Sequence, residues 1–368
     1  MIPFLDFNGL HTPIREELTN TFKNVLDSNW LIMGNQLKEF EKEYAEWNGV
    51  KHCVGVSNGL DALTLALKAL EIGPGDEVIV PSNTYIASAL AVSNVGATPI
   101  FVEPRTETAN LNPELIKEAI SDRTKAVMPV HLYGQACEME AIMNIANQHG
   151  LFVIEDNAQA HGATFNGRLT GSWGHINATS FYPGKNLGAL GDGGAITTDS
   201  DELAHKVRVL RNYGSQEKYK NEVLGYNNRL DELQAAFLRV KLRKLSEWTA
   251  ERNRIAESYI EGLKNVQGIE LFNLANGARS AYHLFVIKTK DREGLQAKLN
   301  KVGIGTLIHY PIPPHLQECY EYLGYMKGDY PVAENLSNCV LSIPLFIGMS
   351  EYQISVVCQR IKENAIYT

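Results

Sequence analysis

The stretch VIVPSNTYIASALAVSNVGATPIFVEP (Val78–Pro104) decides the fold class of this 368-residue chain. A short apolar run, Val78–Ser82, precedes a segment whose apolar residues recur every three or four positions, and a second apolar run, Thr98–Pro104, follows. Apolar runs without polar alternation are typical of strands buried on both faces, and the spacing between them is typical of a helix. The stretch therefore predicts a strand–helix–strand unit of a parallel sheet.

The same alternation extends from Gly49 to about Asp199, where further apolar runs at Lys125–Gly134 and Leu151–Ala160 are separated by amphipathic segments. We therefore expect an α/β fold with a large domain built on a mostly parallel sheet. Two further segments with a strand-like pattern, Ala178–Tyr182 and Gly194–Thr197, are expected to belong to this domain.

A long stretch with few breakers, Leu230 to roughly Leu263, predicts a helix that leads out of the large domain. The large domain is expected to span residues 1–248, including the N-terminal segment, and a smaller α+β domain to span 249–368. The smaller domain is expected to contain strands at Ala281–Ile287, Gly305–Ile308 and Val340–Ser342 and helices at Arg292–Lys301 and Glu351–Asn364.

Composition excludes several classes of protein. A net charge of −8 argues against a nucleic-acid surface, and the densest basic patch, Leu238–Lys244, lies in a helical pattern, which favours a solvated or interface-facing helix face. No apolar stretch approaches the roughly 18 residues that span a bilayer. The five cysteines are scattered and the ten histidines lack metal-ligand spacing. We expect a cytoplasmic protein that binds no membrane, nucleic acid or metal.

Lys185 is unusual because it lies in TSFYPGKNLGALGDGGAITTD (Thr179–Asp199), among small and turn-forming residues. A tolerated surface-loop lysine is the simple interpretation. Asp156 ends an apolar run, a position where a carboxylate can equally cap a helix or bind a ribose. Ser57–Gly59 opens a helix, and such a segment is either an anion site or a common helix cap. Together they match what pyridoxal phosphate requires: a lysine, an acid for its ring nitrogen and a phosphate cup. No P-loop or dinucleotide-binding glycine motif occurs.

Over nearly its whole length the chain resembles the DegT family of nucleotide-sugar aminotransferases, which are pyridoxal phosphate enzymes of fold type I. The resemblance rests on six motifs in order: SNGLDAL (Ser57–Leu63), DEVIVPSNTY (Asp76–Tyr85), PVHLYG (Pro129–Gly134), EDNAQAHGA (Glu155–Ala163), SFYPGKNLGALGDGGA (Ser180–Ala195) and GYNNRLDELQAA (Gly225–Ala236).

The resemblance implies a role for each residue that faces the cofactor ring. Lys185 would be the Schiff-base lysine and the acid–base that moves the proton during amino transfer. Asp156 would pair with the pyridinium nitrogen, Gln159 would hydrogen-bond the phenolic oxygen, and Tyr85 would stack on the ring. Without the resemblance, Tyr85 is as well explained as a core aromatic.

The resemblance also implies how the phosphate is held. The amides of Gly59 and Leu60 and the hydroxyl of Ser180 would bind it. Many relatives have a hydroxyl residue at the position of Leu60, so here only the amide would contribute. Asn228 would reach the phosphate of the neighbouring subunit's cofactor in a homodimer with shared sites, although a turn residue is the alternative reading.

Substrate contacts are expected from Tyr182, His309 and Tyr310, since the loop that contains the last two borders the sugar-nucleotide cleft in relatives. For His309 and Tyr310 the alternative is a purely structural role before the proline-rich loop. A lysine at 185, where dehydratases of the family have histidine, favours amino transfer. The subgroup that the chain resembles most, the FdtB and QdtB type, aminates C-3 of dTDP-3-keto-6-deoxyhexoses with L-glutamate as donor.

The expected product is a deoxyamino sugar for surface polysaccharide or glycan. Three alternatives stay open at this point: a C-4 sugar-nucleotide aminotransferase, a pyridoxal phosphate-dependent sugar dehydratase, and a regulator that binds the cofactor without turnover. The intact pair of Lys185 and Asp156 argues against the regulator, because a pure binding protein gains nothing from a nucleophilic amine.

Overall fold

A seven-stranded sheet forms the centre of the large domain in the computed structural model, which describes residues 1–217 and 219–365. In spatial order its strands are β1, β7, β6, β5, β4, β2 and β3. All neighbours run parallel except β7, which is antiparallel to both β1 and β6. The strands are β1 (His52–Val56), β2 (Glu77–Pro81), β3 (Thr98–Val102), β4 (Thr124–Val127), β5 (Phe152–Asp156), β6 (Ile176–Ser180) and β7 (Gly194–Thr198).

Helices cover the sheet, as the alternating pattern predicts. The segment between β1 and β2 shows how the sequence specifies one of them: Asn58 caps the helix that begins at Gly59, and its side chain accepts a hydrogen bond from the Asp61 amide. The helices of nine or more residues are α1 (Arg15–Ser28), α2 (Asn35–Asn48), α3 (Gly59–Ala69), α4 (Ile86–Asn94), α5 (Met139–His149), α6 (Asp201–Leu210), α7 (Glu232–Leu242), α8 (Leu245–Leu263), α9 (Arg292–Lys301), α10 (Pro331–Cys339) and α11 (Glu351–Asn364).

The single long helix expected from Leu230 to about Leu263 is wrong in one respect, because the structure divides it into α7 and α8. No glycine or proline marks the break at Arg243 and Lys244. The reason is tertiary. The buried face of α7 belongs to the core of the large domain, whereas α8 buries Ile255 and Tyr259 in the C-terminal core, so the chain must change direction between them.

The C-terminal region packs α8, α9 and α11 against a three-stranded antiparallel sheet. Its strands are β8 (Glu270–Leu271), β9 (Phe285–Lys288) and β10 (Val340–Ile343), with β9 in the middle. The predicted bounds of α9 and α11 are confirmed. The strand expected at Gly305–Ile308 is wrong: Leu307 makes only an isolated bridge to Ser342.

The first residues of the chain belong to this C-terminal core. Ile2 donates a backbone hydrogen bond to the Gly303 carbonyl and accepts one from the Gly305 amide, whereas α1 packs on α7 of the large domain. The division at residue 248 stays a prediction, and 366–368 of its second domain lie outside the described residues. Within 1–217 and 219–365, no helix has both the length and the apolar character needed to cross a membrane.

Candidate active site

A cavity of about 940 Å³ opens at the carboxyl edge of the large sheet, against the C-terminal region. Strands β1, β2, β5 and β6 all end at this edge, because β1 and β6 both run opposite to β7. Ligands of open α/β sheets bind at such an edge. Every predicted site residue except Asn228 lines the cavity: Gly59, Leu60, Tyr85, Asp156, Gln159, Ser180, Tyr182, Lys185, His309 and Tyr310.

Lys185 is partly buried on the loop between β6 and β7. Burial lowers the pKa of its amine to about 8, although the nearby Asp156 carboxylate raises it in part. A substantial fraction of the amine is therefore neutral, and so nucleophilic, at neutral to slightly alkaline pH.

The loop that carries Lys185 is held from several directions. Its Asn186 side chain donates a hydrogen bond of 2.8 Å to the Ala281 carbonyl, and Lys241 of α7 donates one of 2.7 Å to the Gly188 carbonyl. A Cβ at Gly188 would lie 2.2 Å from the Pro183 carbonyl oxygen, so only glycine fits. Lys241 is buried and so departs from the solvated or interface-facing face expected for Leu238–Lys244, whereas Arg243 and Lys244 are exposed.

Asp156 is the last residue of β5 and is buried. Its Oδ2 accepts a hydrogen bond of 2.8 Å from the Ser88 hydroxyl, and its Oδ1 accepts one of 3.1 Å from the Ala158 amide. Burial raises the pKa of the carboxyl, and the two hydrogen bonds and Lys185 act in the opposite direction. The buried carboxylate is thus fixed at the wall of the cavity, where a cationic partner can reach it.

A buried pair behind Asp156 fixes the same edge. His131 Nε2 lies 2.7 Å from Glu155 Oε2, and both side chains are fully buried. Because His131 Nδ1 accepts a hydrogen bond from the Cys137 amide, Nε2 is the nitrogen that donates to Glu155. The carboxylate also accepts bonds from the amides of Gly171, Trp173 and Gly174.

The N-terminus of α3 and the end of β6 form a narrow cradle. A Cβ at Gly59 would lie 2.6 Å from the Ser180 Cβ, and one at Gly194 would lie 2.4 Å from the Asn58 carbonyl oxygen. Glycine is therefore required for this close approach, which leaves the first amides of α3 beside the Ser180 hydroxyl. Amides at a helix N-terminus together with a hydroxyl are the donor set that a phosphate needs, so these residues fit a phosphorylated cofactor.

Gln159 is held by two partners. Its Oε1 accepts a hydrogen bond of 2.7 Å from the Tyr133 amide, and its Nε2 donates one of 2.9 Å to the Tyr310 hydroxyl. The amide group retains a second N–H for a ligand. The ring of Tyr310 lies 5.1 Å from the ring of Tyr85, whose side chain is half exposed within the cavity.

His309 and Tyr182 complete the outer wall. His309 Nδ1 lies 2.8 Å from the Ser342 hydroxyl, and its carbonyl accepts a hydrogen bond from the Tyr133 hydroxyl. Burial, and secondarily Lys185, lowers the pKa of His309 to about 4, so the imidazole is neutral near pH 7. Tyr182 is exposed and free to contact a large ligand.

Asn228 is the predicted site residue that the chain does not bring into its own cavity. Asn228 lies in the segment between α6 and α7, and its backbone N–H donates a hydrogen bond of 2.9 Å to the Arg211 carbonyl. This location is compatible with service to a second subunit, which stays a prediction.

Three residues that sequence reasoning missed also belong to the site: Ser88, Arg252 and His283. Ser88 holds Asp156, and Arg252 and His283 line the cavity. A small polar residue in the first turn of α4, after a strand end, was the available signal for Ser88. Arg252 and His283 carried no signal, because they reach the cavity only through the packing of the C-terminal region.

Comparison with known proteins agrees with this geometry. The DegT/DnrJ/EryC1/StrS aminotransferase family profile matches residues 12–362. The chain is 50% identical to the dTDP-3-amino-3,6-dideoxy-alpha-D-galactopyranose transaminase of Aneurinibacillus thermoaerophilus, covering 98% of this chain and 99% of that protein. It is 48% identical to the erythromycin biosynthesis sensory transduction protein EryC1 of Saccharopolyspora erythraea, covering 99% of this chain and all of the other.

Solved structures give the same result. DesV of S. venezuelae superposes with a TM-score of 0.98 at 46% identity, covering 100% of this chain and 99% of its own. NtdA of Bacillus subtilis, solved with its bound cofactor PMP, superposes with a TM-score of 0.92 at 34% identity, covering 99% of this chain and 85% of its own.

The fold is thus that of a pyridoxal phosphate-dependent enzyme of fold type I, as predicted. The chain belongs to the DegT/DnrJ/EryC1/StrS aminotransferase family, and it is an aminotransferase. The expected family, fold class, enzyme class and cofactor are confirmed.

Proposed function

We propose that this enzyme is a sugar-nucleotide aminotransferase that moves the amino group of L-glutamate to C-3 of a dTDP-linked 3-keto-6-deoxyhexose. The observation that carries amino transfer is the presence of Lys185 and Asp156 in one cavity, with the pKa of the lysine lowered to about 8. The dTDP group and C-3 rest on the name of the relative that is 50% identical along the whole chain.

Pyridoxal phosphate, when bound, supplies the electron sink for removing a proton next to the transferred nitrogen. Asp156 is placed to keep the ring nitrogen protonated. Its carboxylate has two hydrogen-bond donors that hold its orientation, and a third, cationic donor would offset the cost of its burial.

Lys185 has two tasks in this proposal. Its amine would hold the cofactor between turnovers and would then move the proton between the two carbon atoms that flank the transferred nitrogen. Both tasks require an amine that is neutral part of the time, which the burial of Lys185 provides.

The remaining contacts position the cofactor. The amides of Gly59 and Leu60 and the hydroxyl of Ser180 bind the phosphate, with the α3 dipole in support. The free N–H of Gln159 is available for the phenolic oxygen, and Tyr85 supplies an aromatic face for the ring.

Sugar recognition falls to the outer wall of the cavity. Tyr182, His309 and Tyr310 lie there. Because His309 is neutral, its imidazole can accept a hydrogen bond from a sugar hydroxyl or donate one to it. The two tyrosines offer apolar faces to the sugar and hydroxyl groups to its oxygens.

The active unit is proposed to be a homodimer in which Asn228 contacts the cofactor phosphate of the partner subunit. An exposed apolar group that flanks the Asn228 segment supports a second copy as occupant of this face, because Ile32 bridges Asp231 and so lies beside it. Exposed apolar side chains of this kind are typical of an interface. The group consists of Phe22, Leu26, Trp30, Leu31 and Ile32.

Incubation of the purified protein with L-glutamate and a panel of dTDP- and UDP-keto sugars tests the proposal. Mass spectrometry detects amino sugars, and NMR of the product assigns the aminated carbon. The expected product is the 3-amino sugar nucleotide. Amination at C-4 would favour the C-4 aminotransferase, and loss of water from the sugar would favour a dehydratase. The absence of product from every substrate would favour a regulator without turnover.

The name of EryC1 as a sensory transduction protein is the observation that keeps the regulator as a second candidate. Lys185→Ala separates the two. An aminotransferase loses turnover in this variant, whereas a regulator that binds the cofactor through Asp156 and the phosphate cradle retains its ligand-dependent function.

A further inference from the structure

Arg252 is a buried arginine on α8 that lines the cavity of Lys185. Its side chain is 2% exposed. Nη1 lies 3.1 Å from the Tyr282 carbonyl oxygen and 3.4 Å from the His283 carbonyl oxygen, and it donates hydrogen bonds to both. No residue within 1–217 and 219–365 accepts a hydrogen bond from Nε or Nη2.

Arg252 also lacks an acidic partner in the described chain, unlike the other arginines with little exposure. Arg211 forms an ion pair with Glu41, and Arg292 lies 3.7 Å from a Glu293 carboxylate oxygen. Burial without such a partner lowers the pKa of Arg252 to about 10. A buried cation is costly unless an anion and hydrogen-bond acceptors accompany it, so an anion from outside the chain would stabilise this group.

The location of Arg252 places this unmet charge near the reactive amine. Burial lowers the pKa of both His161 and His283, and Lys185 and Arg252 each lower it further, so both cations face the same two imidazoles. Neutral imidazoles provide no counter-charge. The other charged residues that line the cavity are Asp156 and Asp192, which leaves Arg252 as the cation beside Lys185 in the described lining.

We propose that Arg252 binds a carboxylate group of the amino donor. The Nε and Nη2 pair forms the side-on face of the guanidinium, which matches the two oxygens of a carboxylate in a bidentate arrangement. The carbonyls of Tyr282 and His283 fix the opposite side of the group. The proposal rests on the proposed function, because it assigns a site to the amino acid of that reaction.

The two half-reactions provide the test, since the amino donor carries carboxylates and a dTDP-amino sugar carries none. Cofactor absorbance in the holoenzyme follows each half-reaction separately, and calorimetry follows the binding of glutarate, an unreactive dicarboxylate. Arg252→Gln is expected to weaken the apparent affinity for L-glutamate and glutarate by roughly 10- to 100-fold. The amino-sugar half-reaction is expected to change by less than about threefold.

Two controls accompany Arg252→Gln. Arg254→Gln removes the same charge from the same helix at a partly exposed position that pairs with Glu251 and Glu351, and should leave both half-reactions unchanged. Arg252→Lys keeps the charge without the fork and is expected to fall between wild type and Arg252→Gln. If Arg252→Gln does not fold, the comparison of half-reactions is made with Arg252→Lys.

Unchanged affinity for L-glutamate and glutarate in the variant would overturn the assignment. Equal weakening of both half-reactions would also overturn it, because that pattern indicates a structural role or a contact with the sugar nucleotide. A wild-type enzyme that reacts with L-glutamate but with no sugar nucleotide would refute the proposed acceptor and leave the glutamate and glutarate measurements as the test of Arg252.

Discussion

Gln159 Nε2 donates a hydrogen bond of 2.9 Å to the Tyr310 hydroxyl, and this bond joins the two sides of the cavity. Gln159 follows β5 of the large domain, whereas Tyr310 lies on a loop of the C-terminal region. The residue proposed to contact the cofactor is therefore oriented by a residue proposed to contact the sugar. Substrate binding at Tyr310 is therefore expected to change the orientation of the Gln159 side chain.

Tyr310→Phe tests this relationship. The ring and its contact with Tyr85 remain, but Gln159 loses the acceptor for one N–H. A neutral hydrogen bond contributes about 1 kcal/mol, so a several-fold loss of kcat/KM is expected, together with a shifted visible spectrum of the substrate-free holoenzyme. Tyr352→Phe, at an exposed tyrosine outside the cavity, is the control. An unchanged substrate-free spectrum would show that Tyr310 does not orient Gln159.

Ser88→Ala is predicted to move the acidic limb of the pH–rate profile upward. The Ser88 hydroxyl stabilises the ionised form of Asp156, so its removal raises the pKa of a carboxyl that burial has already raised. Activity requires the carboxylate and is lost as pH falls through that pKa, so the variant should lose activity at a higher pH than wild type.

The matched control for this measurement is Ser93→Ala. Ser93 lies on the same helix, but its hydroxyl faces the Tyr320 hydroxyl at 3.1 Å. An acidic limb that stays in place in Ser88→Ala, or that moves equally in both variants, would contradict the role given to Ser88.

Much of the fold could be predicted because the relevant signals are local. The strand–helix–strand unit at Val78–Pro104 and the bounds of α9 and α11 follow from periodicity and capping residues near each end. The break between α7 and α8 could not be predicted, because Arg243 and Lys244 are good helix formers and the change of direction is imposed by two separate cores.

The site shows the same division. Lys185, Asp156 and Gly59 each have an ordinary explanation when taken alone, but together they match the lysine, the acid and the phosphate cup that pyridoxal phosphate requires. Arg252 gave no such signal, because a basic residue on an amphipathic helix is ordinary. Lys241 looked equally ordinary, yet it is buried against the Gly188 carbonyl. Burial of a helix face depends on residues that are distant in the sequence, so the local sequence does not specify it.

Gly59→Ala is predicted to weaken cofactor binding. The added Cβ would lie 2.6 Å from the Ser180 Cβ, so the start of α3 must move away from Ser180 and the phosphate cradle widens. Loss of a hydrogen bond to a charged group costs about 1.5–3 kcal/mol, so the Kd for pyridoxal phosphate should rise by about tenfold or more.

Absorbance titration of the apoenzyme measures this Kd. Gly73→Ala is the control, because its φ is not positive and its Cβ would meet only the Val95 carbonyl oxygen, at 3.7 Å. Equal cofactor affinity in wild type and Gly59→Ala would refute the assignment of the cradle as the phosphate site.

Co-expression of Lys185→Ala and Asn228→Asp tests the shared active site. If Asn228 serves the partner subunit, a mixed dimer contains one site with both defects and one with neither, so activity should partly return. If Asn228 serves its own subunit, every site keeps one defect and mixing restores nothing. An active monomer in sizing experiments at assay concentration would also contradict the homodimer.

The central claim is that Lys185 is the residue that holds the cofactor, and peptide mapping after borohydride reduction tests it most directly. Lys241 is the natural comparison, since burial lowers its pKa to about 8 as well, but it does not line the cavity. Reduction of the holoenzyme is expected to fix the cofactor mass on the peptide that contains Lys185 and to leave Lys241 unmodified. Cofactor mass on Lys241 or on any other lysine, with Lys185 unmodified, would contradict the account.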